Sequence, residues 1–240
     1  MKKKIISMLT VCVLLIILSI PAVFKANDDN AFAKKGEKIS DIVKNQDADQ
    51  VVFSAKGVEV TKGELTAAII GNMDQGKTKE EIIESATKLV VTKKSLYAEA
   101  VKSGIKVTDE EYKAYKNLVK DSLENAENKE DIQAYFDGFG GEENYWKQMK
   151  VVIMENLTIR KYMNELTQNE SDIVGYSENN NYDDIVQQQN MEQQIKDNVY
   201  DETLSEQEKE KLKEVAGDLY EEVEKTLLFR GKLVTKEPMV

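Results

Sequence analysis

Large apolar residues recur at steps of three and four positions along most of the chain beyond residue 60. The clearest example is residues 142–166, in which Trp146, Met149, Ile153 and Leu157 follow this spacing. The spacing places these side chains on one face of an α-helix, so that the face can pack against a core. The same criterion predicts further helices over residues 62–70, 79–103, 109–123, 131–136 and 206–227, with a sharp glycine turn at 138–141.

A short sequence signal marks the start of four of these helices. In each case a Ser or Thr precedes the helix, and a Glu follows three residues later. The pairs are Thr61–Glu64, Thr78–Glu81, Thr108–Glu111 and Ser205–Glu208. In such a capping box each side chain bonds the other residue's backbone N–H, which satisfies donors that the start of a helix leaves unpaired. The predicted fold class is therefore mainly α.

Two short β-rich runs precede the first of these helices. Residues 51–55 and 58–60 are rich in valine, and Lys56-Gly57 lies between them. Strand-forming runs on either side of a two-residue turn that contains glycine predict a β-hairpin. Residues 229–234, which follow the last helix, predict a closing strand. The mainly helical domain is therefore expected to carry a small β-element.

Two polar segments show no clear pattern. Residues 34–50 lie ahead of the hairpin and are interpreted as a linker. Residues 167–203 are rich in Asn, Gln, Asp and Tyr and poor in large aliphatic residues. We expect them to be a polar insertion and the least ordered part of the chain. The predicted domain covers residues 51–236.

The first 33 residues have the composition of an export signal. Lys2, Lys3 and Lys4 precede an uncharged, mainly apolar run over residues 5–24, and the pattern Ala31-Phe32-Ala33 suits cleavage by a signal peptidase. Twenty apolar residues are also just long enough to cross a bilayer, so the segment is either a signal peptide or an uncleaved membrane anchor. Lipidation at Cys12 is the third alternative, although Val11 is large for the residue that precedes a lipidated cysteine. The functional part is therefore expected outside the cytoplasm.

Charge and composition exclude several classes of function. The formal net charge is −11, and an acidic surface repels the phosphates of nucleic acids. The chain has no histidine, and its one cysteine, Cys12, lies in the export segment. A histidine-dependent triad, a thiol nucleophile and a thiolate zinc site are therefore not available. Adjacent carboxylates such as Glu142 and Glu143 point in directions about 100° apart on a helix, which does not suit paired acid–base catalysis.

Several segments together resemble one family of exported proteins. Residues 51–65 (VVFSAKGVEVTKGEL), residues 100–111 (AVKSGIKVTDEE) and the acidic pair before Tyr145-Trp146 occur in the order seen in the SurA N-terminal and PrsA-type foldases. The closing strand predicted at residues 229–234 resembles the last element of that family, which pairs with the opening hairpin. The resemblance covers about residues 50–166 and 205–236.

The resemblance implies a chaperone module without isomerase activity. Foldases with that activity carry a parvulin domain, usually with histidines, ahead of the closing helix. This chain has only polar residues 167–203 at that place and no histidine. What remains is the helical module, which in that family binds unfolded or partly folded exported polypeptides.

Candidate client-binding residues cluster around the glycine turn. They are Tyr135, Phe136, Phe139, Tyr145, Trp146 and Met149. Aromatic and methionine side chains offer adaptable apolar contacts, which suit a holder of many clients if they are exposed. The alternative is that these residues belong to the core, because aromatic residues at helical spacing usually do.

The sequence thus predicts an extracytoplasmic, chaperone-like protein that is not an enzyme. No cofactor and no metal are expected, and the expected partners are unfolded or nascent exported polypeptides, with no nucleic acid. Contact with the membrane is expected only through the N-terminal segment, if that segment is retained. The alternative is a membrane-tethered accessory protein of the cell envelope with one dedicated partner.

Overall fold

A computed structural model describes residues 31–73, 77–124, 126, 128–170 and 182–229. In these parts of the chain the α-helices are Ala31–Lys44 (α1), Lys62–Asn72 (α2), Lys79–Lys102 (α3), Asp109–Leu123 (α4), Lys129–Gly138 (α5), Glu142–Gln148 (α6), Lys150–Glu170 (α7), Tyr182–Thr203 (α8) and Glu206–Phe229 (α9). A 3-10 turn, Gln46–Asp49, and two strands, Val51–Ala55 (β1) and Val58–Thr61 (β2), lie between α1 and α2. The prediction of a mainly helical protein with a small antiparallel sheet is confirmed at this level.

The hairpin and the capping signals form as the sequence predicts. Strands β1 and β2 are antiparallel, and Ala55 pairs with Val58 across the turn. Lys56 and Gly57 both have a positive φ, 46° and 83°, as in the tight turns that match the twist of a hairpin. Complete capping boxes begin α2, α3 and α4, and at the start of α9 the Ser205 backbone N–H donates to the Glu208 carboxylate over 2.7 Å.

The buried side chains form two apolar cores. The first core joins α1, α4, α5, α6 and α7, and it includes Ile70 of α2 and Val223 of α9. The second core joins the hairpin, α2, α3, α8 and α9 around Leu65, Ile69 and Leu212, all fully buried. Helices α2 and α9 therefore contribute to both cores, and Met73 at the end of α2 packs against each of them.

Helices α1 and α5 cross with their backbones in direct contact. A Cβ atom at Gly36 would overlap the carbonyl oxygen of Tyr135, and one at Gly138 would overlap the carbonyl oxygen of Ala33. Glycine has no Cβ, so this pair of residues allows an approach that other residues would block. The close crossing lets Phe32 and Ile39 of α1 enter the first core.

The segment predicted as a linker is an ordered part of the fold. Residues 34–50 lie in α1, the 3-10 turn and the start of the hairpin, and Ile39 is only 9% exposed. The segment is anchored at its end because the Lys62 backbone N–H donates to the Gln50 carbonyl over 2.8 Å. The linker interpretation failed because most of this segment is polar and its apolar residues are few.

The polar segment 167–203 is more regular than expected in its described parts, residues 167–170 and 182–203, while residues 171–181 lie outside the described residues. Helix α7 continues to Glu170, and residues 182–203 form α8, which packs along α3. Polar contacts hold α8 in place: the Lys88 Nζ lies 2.7 Å from the Asp197 carboxylate, and Ser95 shares a hydrogen bond with Thr203. A helix with few aliphatic residues is stabilised here by polar contacts along its length and by the buried Tyr200 near its end.

The helix predicted over residues 142–166 is divided in two. Helix α6 ends at Gln148 and α7 begins at Lys150, with Met149 at φ −88° and ψ 0° between them. The helical hydrogen bonds continue across the bend, since Met149 N–H donates to the Tyr145 carbonyl over 2.9 Å. The spacing of the apolar residues continues across the bend, so it predicts one helix where the structure has two.

Two further predictions fall partly or wholly outside the described residues. The closing strand at 229–234 lies there apart from Phe229, which ends α9, so its pairing with the hairpin stays a prediction. Residues 1–30 of the export segment also lie there, whereas Ala31, Phe32 and Ala33 form the first turn of α1. Within the described ranges, no helix is both long and apolar enough to cross a membrane.

The glycine crossing can be tested with two matched substitutions. Gly36→Ala should lower the free energy of unfolding by about 3 kcal/mol, because the added methyl group meets backbone atoms that cannot move aside. Gly71→Ala in α2 has no atom within 4 Å of the new Cβ and should raise the free energy of unfolding by about 0.5–1 kcal/mol. Urea unfolding measures both values, and similar effects of the two changes would contradict the crossing.

Candidate functional site

The six candidate client-binding residues come together, as their positions in the sequence suggest. They lie at the junction of α5, α6 and α7, where Tyr145 is at the centre of an aromatic cluster. The ring centroid of Tyr145 lies 4.8 Å from that of Phe136, 5.1 Å from that of Phe139 and 5.2 Å from that of Trp146. Tyr135 also lies within the cluster, 5.3 Å from Phe139 between centroids.

The cluster is part of the core and not an exposed patch, which corrects the expectation of an exposed surface. Phe136, Phe139, Tyr145 and Trp146 are between 1% and 7% exposed, and Tyr135 and Met149 are partly buried against them. Burial raises the pKa of Tyr135 to about 12, and burial raises the pKa of Tyr145 still further. The structure agrees with the alternative that these residues belong to the core.

Polar partners fix the orientation of the single tryptophan. The indole Nε1–H of Trp146 donates to the Glu142 carboxylate over 2.8 Å, and the Tyr112 hydroxyl donates to the Trp146 carbonyl over 2.9 Å. The Lys116 Nζ lies 5.6 Å from the centroid of the indole ring, within the range of a cation–π contact. The acidic pair ahead of Tyr145-Trp146 therefore has a structural role at this point.

The second residue of that pair is also tied to the fold. Glu143 on α6 accepts hydrogen bonds of 2.9 Å from both Lys120 and Lys116 of α4. The hydrogen bond from Lys120, followed by that from Lys116, lowers the pKa of Glu143 to about 2. These contacts hold α6 against α4, so the carboxylate is occupied by lysines and is not set up for proton transfer.

A groove on another side of the protein is a better candidate for a binding site. It lies between α1, α2 and α9, where the two cores meet, and has a volume of about 230 Å³. Its lining consists of Lys38, Asp41, Ile42, Asn45, Ala48, Lys62, Gly63, Thr66, Ile70, Leu219, Glu222 and Val223. The groove is thus apolar at its floor and charged at its rim.

The floor and the rim differ in chemistry. Ile70, Leu219 and Val223 are buried and present their side chains from α2 and α9. Thr66 also faces the groove, and its Oγ1 is buried without a hydrogen-bond partner among the described residues. At the rim, the Lys62 Nζ lies 3.1 Å from the Glu222 carboxylate and links α2 to α9. The groove therefore combines an apolar floor, one unsatisfied hydroxyl and charges of both signs.

The groove is not evident from the sequence, because one of its walls is the segment interpreted as a linker. Ile42, Asn45 and Ala48 all belong to that segment. A signal was present, since Phe32, Gly36, Ile39 and Ile42 follow one another at helical spacing. The other two walls, α2 and α9, come from distant parts of the chain, and no local pattern places them together.

A reactive group elsewhere in the described ranges, the lysine at position 93, is tied into the fold. Lys93 on α3 is half-buried, and burial lowers its pKa more than the nearby Glu155 and Glu64 raise it. Its Nζ lies 3.6 Å from the Glu155 carboxylate of α7, so this lysine links two helices. Across the described ranges no cluster of three or more His, Cys, Asp or Glu side chains is arranged to hold a metal ion.

Acid should destabilise the fold through its paired carboxylates. The pKa is lowered by hydrogen bonds or lysine contacts at Glu81, Glu111, Glu143, Asp197, Glu208 and Glu221. A folded pKa below the ordinary value gives stability that is present above about pH 4.5 and is lost as the pH falls towards the folded value. The urea midpoint should therefore decrease between about pH 5 and pH 2.

A matched pair of variants tests the contribution of Glu143. Glu143→Gln should lower the urea midpoint at pH 7 and make the decrease towards pH 3 smaller, because the ion pairs with Lys116 and Lys120 are already lost. Glu130→Gln, which changes an exposed glutamate of α5 outside this network, serves as the control. An equal acid response in the two variants would contradict the role of Glu143.

The position of Trp146 gives a direct test of the aromatic cluster. The chain has one tryptophan, 3% exposed, so its emission should have a short-wavelength maximum and be quenched weakly by acrylamide. Addition of an unfolded polypeptide without tryptophan should leave the emission unchanged, since the cluster stays in the core. A red shift on addition would mean that the cluster opens and contacts clients.

Comparison with known proteins leaves the family unassigned: the chain matches no family model, no curated protein and no solved structure.

Proposed function

We propose that the protein is an extracytoplasmic, chaperone-like factor that binds unfolded or partly folded exported polypeptides without isomerase activity. The observation that carries the proposal is the groove between α1, α2 and α9. The aromatic cluster is buried, so the groove replaces it as the binding site in this proposal. The order of motifs that resembles the SurA and PrsA-type foldases, together with the export signal, supports the class of client.

The size of the groove suits side chains and not a large ligand. Pockets for drug-sized molecules have volumes of roughly 300–1,000 Å³. A groove of about 230 Å³ has space for one or two aliphatic side chains of an extended segment. Such a side chain would cover Ile70, Leu219 and Val223, and burial of apolar surface stabilises the contact by about 25 cal/mol per Å². The affinity of a single contact is therefore modest, as a holder of many clients requires.

The acidic surface of the protein as a whole favours clients with basic residues beside the apolar one. The chain has a formal net charge of −11, whereas the groove is lined by Lys38 and Lys62 as well as by Asp41 and Glu222. Opposite charges on a client increase the rate of encounter, while like charges keep the protein itself dispersed.

A second candidate function is a membrane-tethered accessory role with one dedicated partner. The observation that favours it is the ion pair of 3.1 Å between Lys62 and Glu222, which joins two walls of the groove at its rim. A partner whose charges match this pair would be selected over others, whereas a holder of many clients benefits from an adaptable surface. The two functions share the groove and differ in the range of sequences that it accepts.

Suppression of aggregation tests the proposal. The purified protein, at near-stoichiometric amounts, should suppress the light scattering of several unrelated unfolded proteins. Asp41→Lys should weaken suppression of basic clients several-fold, because it places a positive charge at the rim of the groove. Glu37→Lys, an exposed site on the same helix outside the groove, is the matched control and should have a smaller effect.

The possible results separate the two functions. Suppression of several clients, weakened by Asp41→Lys and not by Glu37→Lys, supports a holder that uses the groove. Suppression that both variants leave unchanged contradicts the groove as the site. Failure to suppress any client contradicts the chaperone role and leaves the dedicated partner as the better candidate.

A further inference from the structure

The pattern that suits signal peptidase lies inside the folded domain. Ala31, Phe32 and Ala33 form the first turn of α1. Phe32 is 9% exposed and belongs to the first core, together with Phe136 and Phe139 of the glycine turn region. The carbonyl oxygen of Ala33 lies against Gly138 at the crossing of α1 and α5. These residues therefore have the contacts of a core element.

Cleavage after Ala33 would remove part of that core. The new N-terminus at Lys34 would leave α1 without its first turn, and the space filled by Phe32 would become a cavity. Loss of a buried phenylalanine is among the most destabilising changes that a core can undergo. After folding, the site is also protected, since proteases cut exposed and irregular segments more readily than packed helices.

We infer that the chain is not cut after Ala33 and that Ala31, Phe32 and Ala33 stay in the working protein as part of α1. Any cut that removes the export segment would then lie ahead of Ala31. This inference goes beyond the proposed binding activity, because it concerns the processing of the chain.

The first experiment measures the mass of the protein. The full chain with its own N-terminus and a C-terminal tag is produced in a bacterial host and recovered from the membrane fraction and the medium. An N-terminus at Ala31 or at any residue ahead of it supports the inference. An N-terminus at Lys34, or at a later residue, overturns it.

The second experiment uses two phenylalanines of the same chain. Phe32→Ala should lower the thermal midpoint of the protein recovered from the host by about 10 °C, because the residue is part of the core. Phe24→Ala lies at the end of the apolar run and is the control, with little change expected. Equal midpoints for the wild type and Phe32→Ala would show that Phe32 does not contribute to the core of the protein as it exists, and would overturn the inference. Neither experiment measures client binding, so their failure would leave the proposed function unaffected.

Discussion

The contact between Gly36 and Gly138 is the constraint on which the rest of the fold depends. It brings the backbones of α1 and α5 together, and this approach lets α1 cover the first core. The aromatic cluster around Tyr145 then fills the space behind α5, where ring edges meet ring faces. If the two helices were held further apart, the turn that begins α1 would lose its contacts and one wall of the groove would move away from α2.

The groove results from the way the two cores meet. Helices α2 and α9 contribute to both cores, and the last residues of α1 approach them from one side only. Ile42 of α1 lines this side of the groove, and Ala48 of the 3-10 turn approaches α2 closely at Gly63.

Local patterns in the sequence predicted much of the fold and little of the site. Some features depend only on residues that are neighbours in the chain, and these are evident from the sequence. They are the capping boxes at Thr61, Thr78 and Thr108 and the Lys56-Gly57 turn. Helix α1 is not evident from the sequence because its apolar residues are few, and the glycine contact that holds it joins residues far apart in the chain. The aromatic residues were found correctly as a group, but burial depends on what α1 and α4 place over them. Composition cannot report that arrangement.

The shared membership of α2 and α9 in both cores has a thermodynamic consequence. An occupant of the groove would contact Ile70 and Val223 of one core and Leu219 of the other. Binding to the native state would raise the free energy of unfolding by mass action. The increase grows with the logarithm of the ratio between the occupant's concentration and its dissociation constant. Because the occupant would contact both cores, its binding would stabilise them together. Unfolding of the occupied protein would therefore be more cooperative than unfolding of the empty protein.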